Sequence, residues 1–128
     1  MYKSFKEMPI WQMAMAVGED IYKITTGLPK CEDYGFTSQI RRSTLSISAN
    51  ISEAFGRNSI SDKINFYYYC RGSLTETQSH LEYGRRVKYF TEDQTSQIEV
   101  KLSQILKELN TLILSLRLNH KTKPQPKP

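Results

Sequence analysis

Apolar residues recur every three or four positions through four long segments of the chain, and this spacing is typical of the buried face of an α-helix. The first segment follows Pro9, which suits the first turn of a helix, and it ends at the helix breakers Gly27 and Pro29. The second segment begins within residues 33–37 and runs to about Arg57. The pattern therefore predicts two helices in the first half of the chain.

The third and fourth segments carry clear helix starts. The third begins at Ser59 or Ser61, either of which suits an N-cap, and runs to about Phe90. The fourth opens with TEDQ, a capping box in which the Thr91 hydroxyl caps the helix and the Gln94 side chain reaches back. No segment reads as a strand, so we predict an all-α, antiparallel up-down-up-down four-helix bundle.

Each predicted helix presents one apolar stripe to the core. From the first helix to the fourth, the stripes are Ile10, Ala14, Val17, Ile21, Ile24 and Leu28; Phe36, Ile40, Thr44, Ile47, Ile51 and Phe55; Phe66, Cys70, Leu74, Thr77 and Leu81; and Ile98, Leu102, Ile105, Leu106, Leu109, Leu112, Ile113 and Leu116. A single bundle needs about one stripe per helix, but further apolar residues lie beside these. The surplus predicts an apolar patch that a neighbouring subunit covers, with Trp11, Met15, Tyr22, Tyr83 and Phe90 as its members.

The length and charge of the chain limit its organisation and its partners. The 128 residues suffice for one bundle domain over residues 1–117, followed by a disordered basic Pro/Lys tail over residues 118–128. Residues 117–128 hold four basic residues and no acid, so they account for most of the net charge of +5. Residues 40–90 hold eight basic residues against four acids. Any basic surface of the bundle therefore comes from the two middle helices, and it favours an anionic partner such as nucleic acid.

Residues with catalytic or metal-binding chemistry are sparse. Cys31 and Cys70 are isolated, which is typical of a cytoplasmic protein with free thiols. No apolar run approaches the length of a membrane span, and the N-terminal residues do not form a secretion signal. His80 and His120 have no carboxylate or thiol at metal-ligand spacing. We therefore expect no metal, no cofactor, no membrane association and no enzymatic activity.

Polar side chains follow the apolar stripes of the two middle helices. The second helix carries Ser43, Ser46, Asn50, Glu53 and Arg57, and the third carries Arg71, Ser73, Glu76 and His80. Ser46, Ala49, Gly72 and Ser73 are small enough to let these two helices approach closely. Antiparallel packing could set Glu53 against Arg71, and Arg57 against Glu76, in a network that fixes the register of the two helices. Buried charges require such pairing, so the alternative is exposure at a subunit interface.

Two other roles compete with this structural network, whose members are Asn50, Glu53, Arg71, Ser73 and Glu76. The first is contact with a ligand or nucleic acid. The second is catalysis, which an arginine partner disfavours because it keeps a carboxylate ionised. The consecutive tyrosines Tyr67, Tyr68 and Tyr69 also point three ways round the third helix, so at least one ring faces outward or into a neighbouring subunit. Packing explains that ring more simply, with stacking on bases as the alternative.

Three stretches of the sequence resemble one known family. FKEMPIWQMAM, TSQIRRSTLSISANISEAFGR and YCRGSLTETQSHL are similar to the four-helix-bundle proteins encoded by intervening sequences of bacterial large-subunit ribosomal RNA genes, over residues from about Phe5 to Arg117. The matching series is Trp11, Gln39, Arg41, Arg42, Ser46, Asn50, Ile51, Glu53, Gly56, Arg57, Arg71, Gly72, Ser73 and Glu76. Ala54 stands where glycine is common, and Cys70 stands where alanine is common. The chain also looks like the accessory protein of diversity-generating retroelements.

The resemblance implies a bundle that assembles into a ring, with a homopentamer favoured, and that associates with nucleic acid. We therefore expect a non-enzymatic homo-oligomer that binds RNA or DNA mainly through basic residues of the second and third helices. These residues are Arg41, Arg42, Arg57, Lys63, Arg71, Arg85 and Arg86. The alternative is an oligomeric adaptor that recruits a protein partner, such as a reverse transcriptase or ribonucleoprotein, without direct nucleic-acid contact.

Overall fold

The structure, a computed structural model, describes residues 1–122, with the side chains of residues 121 and 122 left aside. Four α-helices fill this part of the chain, and it contains no strand, which confirms the all-α prediction. The helices are α1 (Pro9–Thr25), α2 (Phe36–Phe55), α3 (Ile60–Arg86) and α4 (Glu92–Thr122). Short 3-10 turns at Phe5–Glu7 and Lys30–Glu32 precede α1 and α2. Within these residues no helix is both long and apolar enough to cross a membrane.

Each helix packs against two neighbours, in the order α1, α2, α3, α4 and back to α1. The contacts between α2 and α3 run in opposite directions along the two helices: Lys63 reaches Ala54, the Cys70 thiol donates to the Ile47 carbonyl, and the Ser43 and Thr77 hydroxyls are hydrogen-bonded at 2.9 Å. These contacts establish the antiparallel arrangement of the middle helices. Assembly of this bundle into a ring stays a prediction.

The predicted stripes form the core of the bundle. Its fully buried larger side chains are Val17, Ile21, Ile40, Thr44, Ile47, Ile51, Leu74, Thr77, Leu81, Leu102, Ile105 and Leu109. The stripe of α3 passes through Tyr67, and Phe66 is only partly buried against the core. Tyr68 is half-buried and Tyr69 is 59% exposed, so the three tyrosines point to three sides of the helix as predicted.

The helix starts follow the capping chemistry of the sequence. The Thr91 hydroxyl accepts the backbone N–H of Gln94 at 3.1 Å, and the Gln94 side chain accepts the backbone N–H of Thr91 at 2.9 Å. This confirms the capping box of α4. Between the two candidate caps of α3, the structure selects Ser59, whose hydroxyl accepts the backbone N–H of Asp62. The start of α3 therefore agrees with the first of the two predicted N-caps.

The helix ends differ from the prediction in two places. The third helix ends at Arg86 rather than near Phe90, because Lys88 adopts a left-handed backbone with φ 68° and the chain turns back onto Gly84. The fourth helix continues to Thr122, so residues 118–122 are helical and do not belong to the predicted disordered tail. The rest of that tail, residues 123–128, lies outside the described residues.

The predicted apolar patch is not a single surface. Phe90 is buried in the core, and Trp11 is half-buried with its ring 5.2 Å from that of Phe5. Tyr22 and Tyr83 are exposed, but they lie on α1 and α3, which do not contact each other. The prediction is therefore wrong for Phe90, which belongs to the core, while cover of the other members by a neighbouring subunit stays a prediction.

Candidate nucleic-acid interface

The seven basic residues that the sequence singled out lie in four separate places. Arg41 and Arg42 lie on α2, Arg57 and Lys63 flank the α2–α3 turn, Arg71 lies in the first half of α3, and Arg85 and Arg86 end that helix. Their neighbours differ, and these neighbours determine whether each positive charge is available to a phosphate.

Arg85 and Arg86 are already paired with a carboxylate. The Glu82 carboxylate accepts hydrogen bonds from Arg85 at 2.7 and 3.1 Å and from Arg86 at 2.8 Å. These bonds lower the pKa of Glu82 from 4.5 to about 2 and raise the pKa of Arg85. A phosphate at this position would have to compete with Glu82 for both guanidinium groups.

Arg57 and Lys63 are held at the turn between α2 and α3. The Arg57 guanidinium forms an ion pair with Glu53 at 3.2 Å and lies 4.6 Å from the ring centre of Phe66. The Lys63 ammonium donates to the carbonyl oxygens of Ala54 and Phe55, the last two residues of α2, at 3.0 and 3.2 Å. Lys63 therefore stabilises the negative end of α2, a role that the sequence analysis did not assign to it.

Arg41 and Arg42 lie in an open groove on α2. Arg41 is half-buried, because its guanidinium lies 4.7 Å from the ring centre of Tyr22 and donates to the Thr25 hydroxyl at 2.8 Å. Arg42 is exposed. The groove has a volume of about 460 Å³ and is lined by Asp33, Thr37, Ser38, Arg41, Arg42, Leu45, Ser46 and Ala49. Because Asp33 shares the groove, its charge is mixed.

Arg71 belongs to a cluster that joins α3 to α4. Its guanidinium lies 4.9 Å from the ring centre of Tyr68 and donates to the Asn110 side-chain oxygen at 3.0 Å. The Arg117 guanidinium lies 5.2 Å from the same ring, as cation–π contacts do. Within residues 1–120, no carboxylate lies within ion-pair distance of Arg71 or Arg117. We call Tyr68, Arg71, Asn110 and Arg117 the double-arginine cluster.

From the sequence, three members of the double-arginine cluster were not predicted as site residues: Tyr68, Asn110 and Arg117. Arg117 counted there only as part of the basic tail, and Tyr68 only as one of three tyrosines. Tyr68 and Arg117 are far apart in sequence, so only the antiparallel packing of α3 and α4 brings them together. The excess of basic residues near the C-terminus was the one sequence signal that pointed to Arg117, and it did not indicate where Arg117 lies on the bundle.

The charges of the predicted polar network pair along their own helices rather than between helices. Glu53 pairs with Arg57 and Glu76 pairs with His80, each four residues apart on one helix, while Arg71 contacts Asn110. The predicted pairs of Glu53 with Arg71 and of Arg57 with Glu76 are therefore wrong within this chain. Two of the side-chain hydrogen bonds between these helices instead join Ser43 to Thr77 and the Cys70 thiol to the Ile47 carbonyl.

The predicted network residues lie at the surface. Glu53 and Glu76 are exposed, and Asn50, Arg71 and Ser73 are half-buried. The Asn50 side chain donates to the Ser46 carbonyl one turn earlier, and the Ser73 carbonyl accepts the Thr77 hydroxyl. Ala49 and Gly72, which we expected between the helices, are exposed as well. The five residues therefore do not form a buried network in this chain, and their exposure at a subunit interface stays a prediction.

The groups that most often carry catalysis have local structural roles. Burial raises the pKa of the Cys70 thiol to about 12, and the thiol donates to the Ile47 carbonyl at 3.4 Å. The His80 ring lies 3.3 Å from the Glu76 carboxylate and packs edge-on against Phe36. Among the described residues, no three His, Cys, Asp or Glu side chains are grouped so that they could hold a metal ion.

Comparisons with known proteins agree with this fold. Residues 6–111 match the family model described as 23S rRNA-intervening sequence protein. The structure is similar to the crystal structure of a protein with unknown function from the S23 ribosomal protein family of Bacteroides thetaiotaomicron, with a TM-score of 0.73 and 29% sequence identity. That similarity covers 81% of this chain and 97% of the other. A comparison with curated proteins finds no match.

Proposed function

The chain belongs to the 23S rRNA-intervening sequence protein family, as its motifs predicted, and from this premise we propose that it is a non-enzymatic protein that binds nucleic acid through the double-arginine cluster. The cluster replaces the broader set of seven basic residues as the centre of the contact. Arg42, which is exposed and has no carboxylate partner among the described residues, adds charge at a second position.

One observation carries this proposal: Arg71 and Arg117 converge on the ring of Tyr68, and neither is paired with a carboxylate in the described chain. Guanidinium groups bind phosphate oxygens through paired hydrogen bonds, and a stacked guanidinium is already oriented for this. Two uncompensated positive charges beside each other also attract a polyanion and release its counterions. The paired charges of Arg57, Arg85 and Arg86 are less available.

A double variant, Arg71→Gln with Arg117→Gln, tests the proposal in the full chain. Fluorescence anisotropy with a labelled oligonucleotide of about 20 nucleotides, at salt from about 50 to 200 mM, should show affinity at least about tenfold weaker than wild type. The slope of log K against log salt should fall by about two, since two phosphate contacts are lost.

The matched control is Arg85→Gln with Arg86→Gln, which removes the same charge from side chains already paired with Glu82. Its affinity and salt slope should stay close to those of wild type. Equal losses in both double variants would show that net charge alone governs binding. That result, or a wild-type protein that fails to bind at about 50 mM salt, would overturn the proposal.

The second candidate function is that of an oligomeric adaptor, a ring that recruits a protein partner, and one observation favours it. The groove on α2 places Leu45, which is 58% exposed, beside Ala49, so an apolar surface lies open to another chain. We propose a homo-oligomer, with five copies of the 14.9 kDa chain favoured by the family resemblance. The native mass measured by light scattering should then be lower for Leu45→Asp than for the wild type. Val100→Asp is the control, because Val100 on α4 is 59% exposed, and its native mass should not change. A monomeric wild type would rule out this candidate.

A further inference from the structure

We propose that the nucleic acid bound by this protein is single-stranded, and that one of its bases stacks on Tyr69 as the strand crosses α3 at Gly72. This inference rests on the proposed function and names the class of nucleic acid that the same surface takes. It follows from the aromatic side chains beside the arginines, because arginines alone bind duplexes and single strands alike.

Tyr69 is the exposed member of the tyrosine run. Its side chain lies on the side of α3 that faces away from Tyr67, which is 4% exposed in the core. The ring meets Phe66 edge-on at 5.5 Å between ring centres, and the Arg57 guanidinium lies 4.6 Å from that of Phe66. Phe66 therefore supports the Tyr69 ring, while 59% of Tyr69 remains accessible. A large, supported aromatic ring at a surface offers a stacking partner to an unpaired base.

Gly72 lies about one helical turn after Tyr68 and Tyr69, between the directions in which they point. It is exposed, and a side chain at this position would meet no atom within 4 Å. The surface of α3 is therefore recessed between the two tyrosines, and an extended nucleic-acid strand can cross the helix there.

Arginine side chains lie on both sides of this crossing. On the side of α2, Arg57, which is paired with Glu53, lies over the Phe66 ring that supports Tyr69. On the side of α4, Arg71 and Arg117, which have no carboxylate partner within residues 1–120, lie beside Tyr68. The aromatic rings thus lie between arginines across α3. A single strand can stack an unpaired base on such a ring while its phosphates lie near the arginines, whereas a duplex keeps its base faces stacked inside. The arrangement therefore fits a single strand better than a duplex.

The test compares two labelled probes of about 20 units each, an oligothymidine single strand and a blunt mixed-sequence duplex, at about 50 mM salt. The wild-type protein should bind the single strand at least about tenfold more tightly. Tyr69→Ala should weaken single-strand binding by about tenfold and leave duplex binding unchanged, because one base loses its stacking partner. Tyr69→Phe keeps the ring and should restore single-strand binding.

Tyr83→Ala is the matched control, because Tyr83 is 51% exposed on the same helix and lies near Phe36 rather than beside Arg57, Arg71 or Arg117. It should bind both probes as the wild type does. Circular dichroism checks that each variant folds. Duplex binding as tight as single-strand binding, or unchanged single-strand binding in Tyr69→Ala, would overturn this inference alone. A wild-type protein that binds neither probe would overturn it together with the proposed function.

Discussion

The ring of Phe90 lies directly against the α-carbon of Gly84, and the Gly84 carbonyl accepts the backbone N–H groups of Tyr89 at 2.8 Å and Phe90 at 3.2 Å. A side chain at Gly84 would overlap two carbons of the Phe90 ring and lie 3.2 Å from Phe36. This contact turns the chain from α3 into α4, and it requires glycine because only glycine leaves room for the ring.

Gly84→Ala should therefore destabilise the bundle. Alanine favours a helix by up to about 1 kcal/mol over glycine, but overpacking a filled core costs about 1–3 kcal/mol. Since Phe90 is buried, its ring cannot move aside cheaply, and we expect a net loss of about 1 kcal/mol or more in denaturant unfolding. Gly18→Ala on α1 is the control, because its new methyl group would meet nothing within 4 Å. This control should raise stability, and an equal gain for Gly84→Ala would contradict the packing argument.

Replacing Lys63 should affect stability more than binding. Lys63→Met keeps most of the apolar stem but removes the ammonium that donates to the Ala54 and Phe55 carbonyls. We expect the free energy of unfolding to fall by about 1 kcal/mol, as for a lost charged hydrogen bond at a half-exposed helix end. Lys107→Met, on the exposed side of α4, should leave it unchanged. Equal stability of both variants would show that the capping contact contributes nothing.

Glu82 should make stability depend on pH in the acid range. Its folded pKa is lowered from 4.5 to about 2 by Arg85 and Arg86, so its stabilising contribution is complete above pH 4.5 and lost as the pH falls towards 2. Glu82→Gln should flatten the decline of unfolding free energy between these values. Burial raises the pKa of Glu99, so Glu99→Gln should change the pH profile in the opposite direction. If both variants changed the dependence of unfolding free energy on pH in the same way, the opposite pKa shifts of Glu82 and Glu99 would be contradicted.

Glu82→Gln should also strengthen nucleic-acid binding. Loss of the carboxylate leaves Arg85 and Arg86 without their ion-pair partner, and the proposed phosphate contacts then extend to the end of α3. We expect affinity to rise severalfold at about 50 mM salt, with a steeper salt dependence. Glu99→Gln removes the same charge, but Glu99 holds Gln78 rather than an arginine, so a smaller change is expected. A rise that is equal in both variants would indicate only the change in net charge.

The two cysteines should differ sharply in reactivity. Both are free, but Cys31 is exposed, whereas Cys70 is buried with its pKa raised to about 12. Because the thiolate is the reactive form, Ellman's reagent should titrate one thiol quickly in the native protein and two in denaturant. Cys31→Ser should then show no fast-reacting thiol. Two fast native thiols would show that α2 and α3 open readily around Cys70.

Local patterns were enough to predict the helices and most of their buried faces. Apolar periodicity, the capping box at Thr91 and the serine before α3 act within a few residues, so they could be read directly from the sequence. The pairs Glu53–Arg57 and Glu76–His80 have the same local character. Their spacing of four could have predicted them, although we expected partners on the neighbouring helix.

The candidate site could not be obtained in this way. The contact of Arg117 with Tyr68, and the reach of Lys63 back to the end of α2, depend on how one helix is rotated and shifted against another. A shift of one helical turn along the axis carries a charged side chain past one partner and brings it to another, so the contact depends on the packing of the helices. The periodicity of the chain therefore determined that a bundle forms and which helix faces are buried. Hydrophobic burial requires an apolar face on each helix, but it tolerates many arrangements of the side chains. The packing of α3 on α4 decided that Arg71 and Arg117 meet at the ring of Tyr68, because such contacts require atoms of the two helices to lie within a few ångströms of each other.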